Sequence, residues 1–431
     1  MQNLLLKQKQ SLKFEDIIGY YIKNQKQDNF KIGLEYERIS LDKNSFHQAD
    51  FNNLFEIIKG FANINGWDLI YDNNTIIGAK LGNSSISLEP GGQFEISLAP
   101  NDNLDKIYLV LNNYVRQLDK LGEIYNTKFF AIGNNPKNCY QNLNILNKRR
   151  YKIMADYLFK KGKFAPVMMR ETAGVQVNVD YKNSIDARRK IKAAILMSPF
   201  LTGFFANSPF RGGKLTNYKS IRALAWKYTG PDRCNLFYKD IIDNNQGSIY
   251  EQYANYILDV PMIFIVRDNK YIETEGKITF REFMIKGYKG FSAELDDYLI
   301  HQSLCFPDVR LKNCIEIRNH DSQNLDIAVG IGAIYKGILY NDDALDNILD
   351  FLAPLNSEVL NKDGFLSAKF GVNYKVKELN LYAYDIVKKI LYLAQSKLNN
   401  NEQKYLDWLI DLINSKRCIA DIILEQIKNK A

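Results

Sequence analysis

In four separate stretches of this chain, apolar and polar residues alternate with period two, and the polar positions repeatedly carry Glu. Phe30, Ile32, Leu34 and Tyr36 fall on one side of the first stretch, with Lys31, Gly33, Glu35 and Glu37 on the other. In the second, Ile86 and Leu88 oppose Ser87 and Glu89. Beyond Pro90-Gly91-Gly92, Phe94, Ile96 and Leu98 oppose Gln93, Glu95 and Ser97. In the third, Val175, Val177 and Val179 oppose Gln176, Asn178 and Asp180; in the fourth, Ile315 and Ile317 oppose Glu316 and Arg318. Period two is the signature of a strand, whose successive side chains point to opposite faces. The Pro-Gly-Gly break predicts a bulge or a sharp bend.

Two arrangements accommodate such strands. One is an ordinary antiparallel sheet with its polar face in water. The other is a sheet whose polar face lines a cavity. Adjacent like charges repel in a sheet, and exposed faces favour Thr and Lys over Glu. Repetition across four strands therefore favours the second. The expected fold is α+β: a curved antiparallel sheet shaped as a funnel, with helices packed on its outer, apolar face. Glu35, Glu37, Glu89, Glu95 and Glu316 would then face one another and raise one another's pKa values. Divalent cations relieve that repulsion, and clustered carboxylates suit Mg²⁺ bridging to phosphate oxygens. Arg318, Arg222 and Arg170 are candidates to neutralise a transferring phosphoryl group or a substrate carboxylate.

Composition narrows the alternatives. The three His (His47, His301, His320) cannot build a His-rich metal site, so a metal centre here rests mainly on oxygen ligands. Five Cys without a C-x-x-C pair argue against a zinc ribbon and a disulfide framework. The formal net charge of +8 accompanies an Asn- and Lys-rich, AT-codon composition and no dense basic run. Lys148-Arg149-Arg150 and Arg188-Arg189-Lys190 read as solvated helix faces, so no nucleic-acid partner is expected. The Leu triplet at 4–6 is too short for a signal-peptide core, and no Arg precedes Arg38. The longest apolar stretch, Ile327 to Tyr340, is broken by Lys336 and too short to span a bilayer. A cytoplasmic protein without membrane contact is expected. Phosphate-loop, dinucleotide-loop, nucleophile-elbow and H-E-x-x-H motifs are absent. Helical spacing marks 11–26, 379–393, 406–413 and 419–427. The expected organisation is a single catalytic domain over 1–431, with a sheet-bearing core at 28–340 and a helical region at 341–431 packed on it.

Five blocks carry a family likeness. Gly33-Leu34-Glu35-Tyr36-Glu37-Arg38 resembles the opening motif of glutamate–cysteine ligases. Ser87 to Pro100 (SLEPGGQFEISLAP) resembles the signature of the plant and proteobacterial branch. Met168 to Tyr181, Ala206 to Trp226 and Phe306 to Asp321 are similar to three further blocks, in family order. The resemblance implies a glutamine-synthetase-like catalytic fold. It implies ATP-dependent joining of the glutamate γ-carboxylate to the cysteine amine through γ-glutamyl phosphate, the first step of glutathione synthesis. It implies two or three Mg²⁺ ions held by Glu35, Glu37, Glu89, Glu95 and Glu316. Arg318 would contact nucleotide phosphate. Gln176 stands where a distant bacterial branch has a metal-binding His, and Thr172 is a further candidate for the nucleotide site. Arg222 resembles the Arg that neutralises substrate or phosphate, with Arg170 a further candidate. Glutamate, cysteine and ATP are the implied partners of a monomer or homodimer. The five Cys give no clear counterpart of a regulatory plant disulfide, and Cys314 reads as a buried thiol. Another carboxylate–amine ligase with a different acceptor is the nearest alternative; a basic nucleic-acid-binding or scaffold protein is the alternative from another class.

Overall fold

The computed structural model describes residues 11–234, 237–244 and 247–429. The Leu triplet at 4–6 lies outside these residues. Nine strands form one sheet: β1 (Ile32–Asp42), β2 (Asp68–Asp72), β3 (Thr75–Leu81), β4 (Ser84–Leu88), β5 (Phe94–Ser97), β6 (Thr127–Phe130), β7 (Gly174–Val179), β8 (Val309–Leu311) and β9 (Ile315–Asp321). Their order is β8-β9-β7-β1-β5-β4-β3-β2, with β6 paired to the second half of β1. Every pairing is antiparallel. The result is the expected α+β architecture, an open antiparallel sheet with helices against its apolar side.

The alternation seen in the sequence sets the two faces. Leu34, Tyr36, Ile86, Leu88, Phe94, Ile96, Val175, Val177, Ile315 and Ile317 are all buried on one of them. The helix Leu325–Leu339 packs behind β1 and β7, and the helix Ser184–Phe204 behind β9. The long apolar stretch forms the first of these. Asn324 caps its start by accepting the Ile327 N–H, and nearly all its side chains are buried. Its all-round hydrophobicity is that of a central core helix. Among the described residues no helix is long and apolar enough to cross a membrane.

Helices at Phe14–Lys23, Ala383–Lys397, Lys404–Asn414 and Ile419–Lys428 match the expected amphipathic runs. The helix Ala383–Lys397 packs on Leu325–Leu339, and Ser357–Phe370 packs on Ser184–Phe204. One cluster of buried apolar side chains runs from Leu12 to Ala420.

Pro90-Gly91-Gly92 makes a bend, not a bulge. It is the tip of the β4–β5 hairpin, closed by Glu89 N–H to Gln93 O at 2.9 Å and Gly92 N–H to Glu89 O at 2.9 Å. Gly92 has φ +79°, which disfavours a side chain, and a Cβ on Gly91 would lie 2.2 Å from the Arg170 carbonyl oxygen. The bulge lies instead in β9. Its pairing with β7 passes from Ile317 opposite Val177 to His320 opposite Val175, one residue extra. Arg318 stays on the polar face. Asn319 turns toward the helix Ser184–Phe204, donating to Ser198 O at 3.0 Å and Thr202 Oγ1 at 2.9 Å.

Candidate active site

The antiparallel register places the polar positions of adjacent strands beside one another. Glu37 is opposite Glu95, Glu35 is flanked by Ser97 and Gln176, Ser87 is opposite Glu95, and Glu316 is opposite Asn178. This face is the floor of a cavity of about 330 Å³. Glu35, Glu37, Glu89, Glu95, Thr172, Gln176, Glu316 and Arg318 all line it. A larger groove of about 880 Å³ lies elsewhere, between the helices Leu104–Ile124 and Lys404–Asn414. Its polar groups are already bonded together, Asp105 to Lys404 at 2.7 Å and to the Tyr405 hydroxyl at 2.6 Å.

Four of the carboxylates form a mutually repelling group. Burial, then the Glu89 charge, push Glu37 up to about 7, against the pull of Arg222, the Gly174 N–H and Arg318. Burial and the charges of Glu89, Glu35 and Glu37 hold Glu95 well above the usual carboxylate range. Glu89 is raised by burial, opposed by Lys148, Arg150 and Arg318. Hydrogen bonds orient the group. Glu35 accepts from Asn178 Nδ2 at 2.8 Å, and Glu37 from Gln176 Nε2 at 3.0 Å and the Gly174 N–H at 2.5 Å. Glu95 accepts from the Ser97 hydroxyl at 3.0 Å. Among the described residues no three acidic, His or Cys side chains stand close enough to hold a metal ion as they are. Donor type and charge do fit Mg²⁺: all-oxygen ligands, half-buried, whose repulsion a cation would relieve.

Glu316 is different. Arg310 Nε reaches one of its oxygens at 2.5 Å and Lys312 Nζ the other at 2.7 Å, with Arg318 Nη1 at 3.2 Å. Burial would raise its pKa, but these three cations hold it well below the usual range. Its oxygens are committed to cations of the chain, where the sequence led us to expect a metal. Arg318 also donates to Gln176 Oε1 and lies 5.6 Å from the Trp226 ring.

Two expected residues, Arg170 and Arg222, are positioned off the cavity lining, and a third, Thr172, has its hydroxyl committed to the backbone. The Arg170 guanidinium donates to the carbonyls of Tyr140 and Leu143 at 3.0 and 3.1 Å and does not line the cavity. Arg222 is buried beside Gly174 of β7, a Cβ on which would lie 2.5 Å from its Nη2; it donates to the Arg318 carbonyl at 2.9 Å and also does not line the cavity. Thr172 lines the cavity, but its hydroxyl donates to Met168 O at 2.7 Å at the end of the helix Ala165–Glu171.

Four cations of the lining were not foreseen: Lys148, Arg150, Arg310 and Lys312. Arg310 and Lys312 follow the period-two rule, alternating with the buried Val309 and Leu311, but β8 is three residues long and too brief to read. Lys148 and Arg150 belong to the run taken as a solvated helix face. Only Arg149 of the three is exposed. From the β8–β9 edge across the sheet, the face passes from cations, through the amides of Gln176 and Asn178 on β7, to the carboxylates of β1 and β5 and Glu89 beyond β4.

Comparison with known proteins now gives this site a family. Residues 31–426 match the model of glutamate-cysteine ligase family 2. The chain is 36% identical over 353 residues to the chloroplastic glutamate–cysteine ligase of Arabidopsis thaliana, covering 80% of this chain and 67% of that one. It is 33% identical over 400 residues to the chloroplastic glutamate–cysteine ligase B of Oryza sativa subsp. japonica, covering 92% and 79%. The tomato enzyme, also chloroplastic, is 34% identical over 425 residues, covering 96% and 80%. The crystal structure of the Francisella tularensis glutamate–cysteine ligase shares the fold, with TM-score 0.55, 11% identity and coverage of 93% and 85%. The expected cytoplasmic location is overturned by these comparisons, since the named plant relatives are chloroplastic. The chain belongs to glutamate–cysteine ligase family 2, whose enzymes join glutamate to cysteine.

Proposed function

We propose that the cavity forms γ-glutamylcysteine with ATP as co-substrate and Mg²⁺ as cofactor, through a γ-glutamyl phosphate. A carboxylate and an amine do not condense at neutral pH, so the acid must first be activated. The ATP γ-phosphoryl group passes to a γ-carboxylate oxygen of glutamate, and ADP leaves. The cysteine amine then attacks the acyl carbon, phosphate departs with the C–O bond electrons, and the amine loses a proton. The chain's task is to position reactants and balance charge.

The carrying observation is the convergence of Glu35, Glu37, Glu89 and Glu95 at the floor of one cavity, with Glu37, Glu89 and Glu95 raised by burial and by neighbouring carboxylate charge. These four would hold Mg²⁺, which when bound supplies positive charge shared with phosphate oxygens. Arg318, held between Gln176 and Glu316, faces the same space and would stabilise charge on the transferring group. Gln176 orients both Arg318 and Glu37. Glu316 acts as counter-anion for three cations. Arg222 supports the Arg318 backbone through its carbonyl, and Arg170 holds the segment at 140–143. The Francisella ligase was crystallised with AMP, which supports an adenine nucleotide for this fold.

ADP release with glutamate and a panel of amines, with and without Mg²⁺, tests the reading. Release that requires glutamate, cysteine and Mg²⁺ together is expected. Glutamate-dependent release indifferent to cysteine would assign another acceptor, and release independent of Mg²⁺ would remove the metal.

A further inference from the structure

Three of the four clustered carboxylates are aimed by hydrogen bonds of their own: Glu35 by Asn178, Glu37 by Gln176 and Gly174, Glu95 by Ser97. Among the described residues none donates to the Glu89 carboxylate, whose charge is balanced at longer range by Lys148, Arg150 and Arg318. The direction of Glu89 is therefore set by its own backbone, at the first corner of the β4–β5 hairpin tip. That tip is clamped. Gln93 is only 3% exposed and turns its side chain back on it. Its Oε1 accepts the Gly91 N–H at 2.8 Å, and its Nε2 donates to Thr172 O at 2.8 Å and Met169 O at 3.3 Å. Both N–H groups of the amide are thereby used. The two carbonyls belong to the C-terminal end of the helix Ala165–Glu171, where backbone oxygens lack intrahelical partners. Gln48 Nε2 holds Gly91 O at 3.0 Å, and the Leu146 N–H holds Pro90 O at 2.8 Å. These two bonds run to other segments; the Gln93 amide is what joins the tip to the helix.

We propose that Gln93 is a positioning residue for Glu89. Its amide fixes the hairpin tip against the helix Ala165–Glu171, and so fixes where the Glu89 carboxylate stands relative to Glu35 and Glu95. The other three carboxylates keep a hydrogen-bond partner if the tip shifts; Glu89 has only the tip. Without the amide, the Met169 and Thr172 carbonyls lose the donors that Gln93 gives them, and the tip loses its hold on the helix end. This inference rests on the metal reading for what Glu89 holds. The positioning itself does not depend on it.

Two variants test it. Gln93→Met removes the amide, and Gln93→Asn keeps it but draws it back by a methylene. Titration calorimetry of Mg²⁺ alone into the metal-free proteins should show affinity weakened by about tenfold or more in either folded variant. A double-mutant cycle with Glu89→Gln separates positioning from general loosening. If Gln93 acts through Glu89, the protein carrying both Gln93→Met and Glu89→Gln binds Mg²⁺ as Glu89→Gln does, within about twofold. Losses that multiply would overturn the proposal, as would unchanged affinity in a folded single variant. Crystal structures of the metal-free proteins read the position without a ligand. The Glu89 carboxylate should move by about 1 Å or more, enough to spoil a preorganised site, while Glu35 and Glu37 stay in place. An unmoved Glu89 would overturn the proposal. A wild type that binds no Mg²⁺ would defeat the metal reading, and a displaced Glu89 would still uphold the role of Gln93.

Discussion

Glu37 and Glu95 are direct cross-strand partners between β1 and β5. Two carboxylates in that relation destabilise a sheet unless a proton or a cation stands between them. Both are raised, Glu37 to about 7, by burial first and neighbouring carboxylates next. In the unfolded chain they titrate near the ordinary Glu value. Between those two values the native state holds more protons than the unfolded state, so stability falls as pH rises through the window. Metal-free protein should lose on the order of 2 kcal/mol between pH 5 and 8 from these groups. Chemical denaturation at a series of pH values checks this, and Mg²⁺ should restore more stability at pH 8 than at pH 6. A flat or rising profile through that window would contradict the carboxylate cluster.

Glu95→Gln removes one of the charges that repel. Without metal at pH 8 the variant should be at least as stable as the parent. Its turnover should drop by about a hundredfold or more, because a cation ligand is lost. Circular-dichroism melts and ADP release measure the two halves separately. Wild-type turnover in a folded Glu95→Gln or Glu35→Gln protein would withdraw the metal role.

Glu316→Gln should behave in the opposite sense. Arg310 is 6% exposed and loses its counter-charge when Glu316 becomes neutral. Breaking such a buried pair costs about 3–5 kcal/mol. Since Glu316 sits well below the usual carboxylate range, its contribution is present above the ordinary Glu value and lost as pH falls through its depressed folded value. A urea titration showing Glu316→Gln as stable as Glu35→Gln would mean that Glu316 is not the anchor of the three cations.

Arg170→Met tests a residue that sequence reasoning placed at the reaction. Its guanidinium satisfies the carbonyls of Tyr140 and Leu143. We expect a stability loss of about 1–3 kcal/mol with KM values changed less than about twofold. A large KM increase at unchanged Tm would return Arg170 to the substrate.

Period two was sufficient to place Glu35, Glu37, Glu89 and Glu95 on one face, because a strand leaves its side chains only two directions. It could not show what Glu316 touches, since Arg310 and Lys312 come from a strand too short to display a period. Helical residues were harder still. Arg170 and Arg222 lie on the helices Ala165–Glu171 and Ile221–Lys227, where direction depends on docking and not on the local pattern. For the same reason Lys148 and Arg150, at the first turn of a helix, looked like surface. The helix Ser184–Phe204 is buried nearly all round, so no amphipathic stripe announced it.

The cavity's lining holds five carboxylates and five cations, so its formal charges cancel. With Glu37 and Glu95 holding protons toward neutral pH, however, the cations outnumber the charged carboxylates in the metal-free cavity, so association of an anionic substrate should weaken as ionic strength rises. The separation of sign across the sheet nevertheless gives the cavity an electrical axis. An incoming zwitterion feels a torque before it feels any single contact. Its orientation is set by the order in which β9, β7, β1 and β5 were laid side by side.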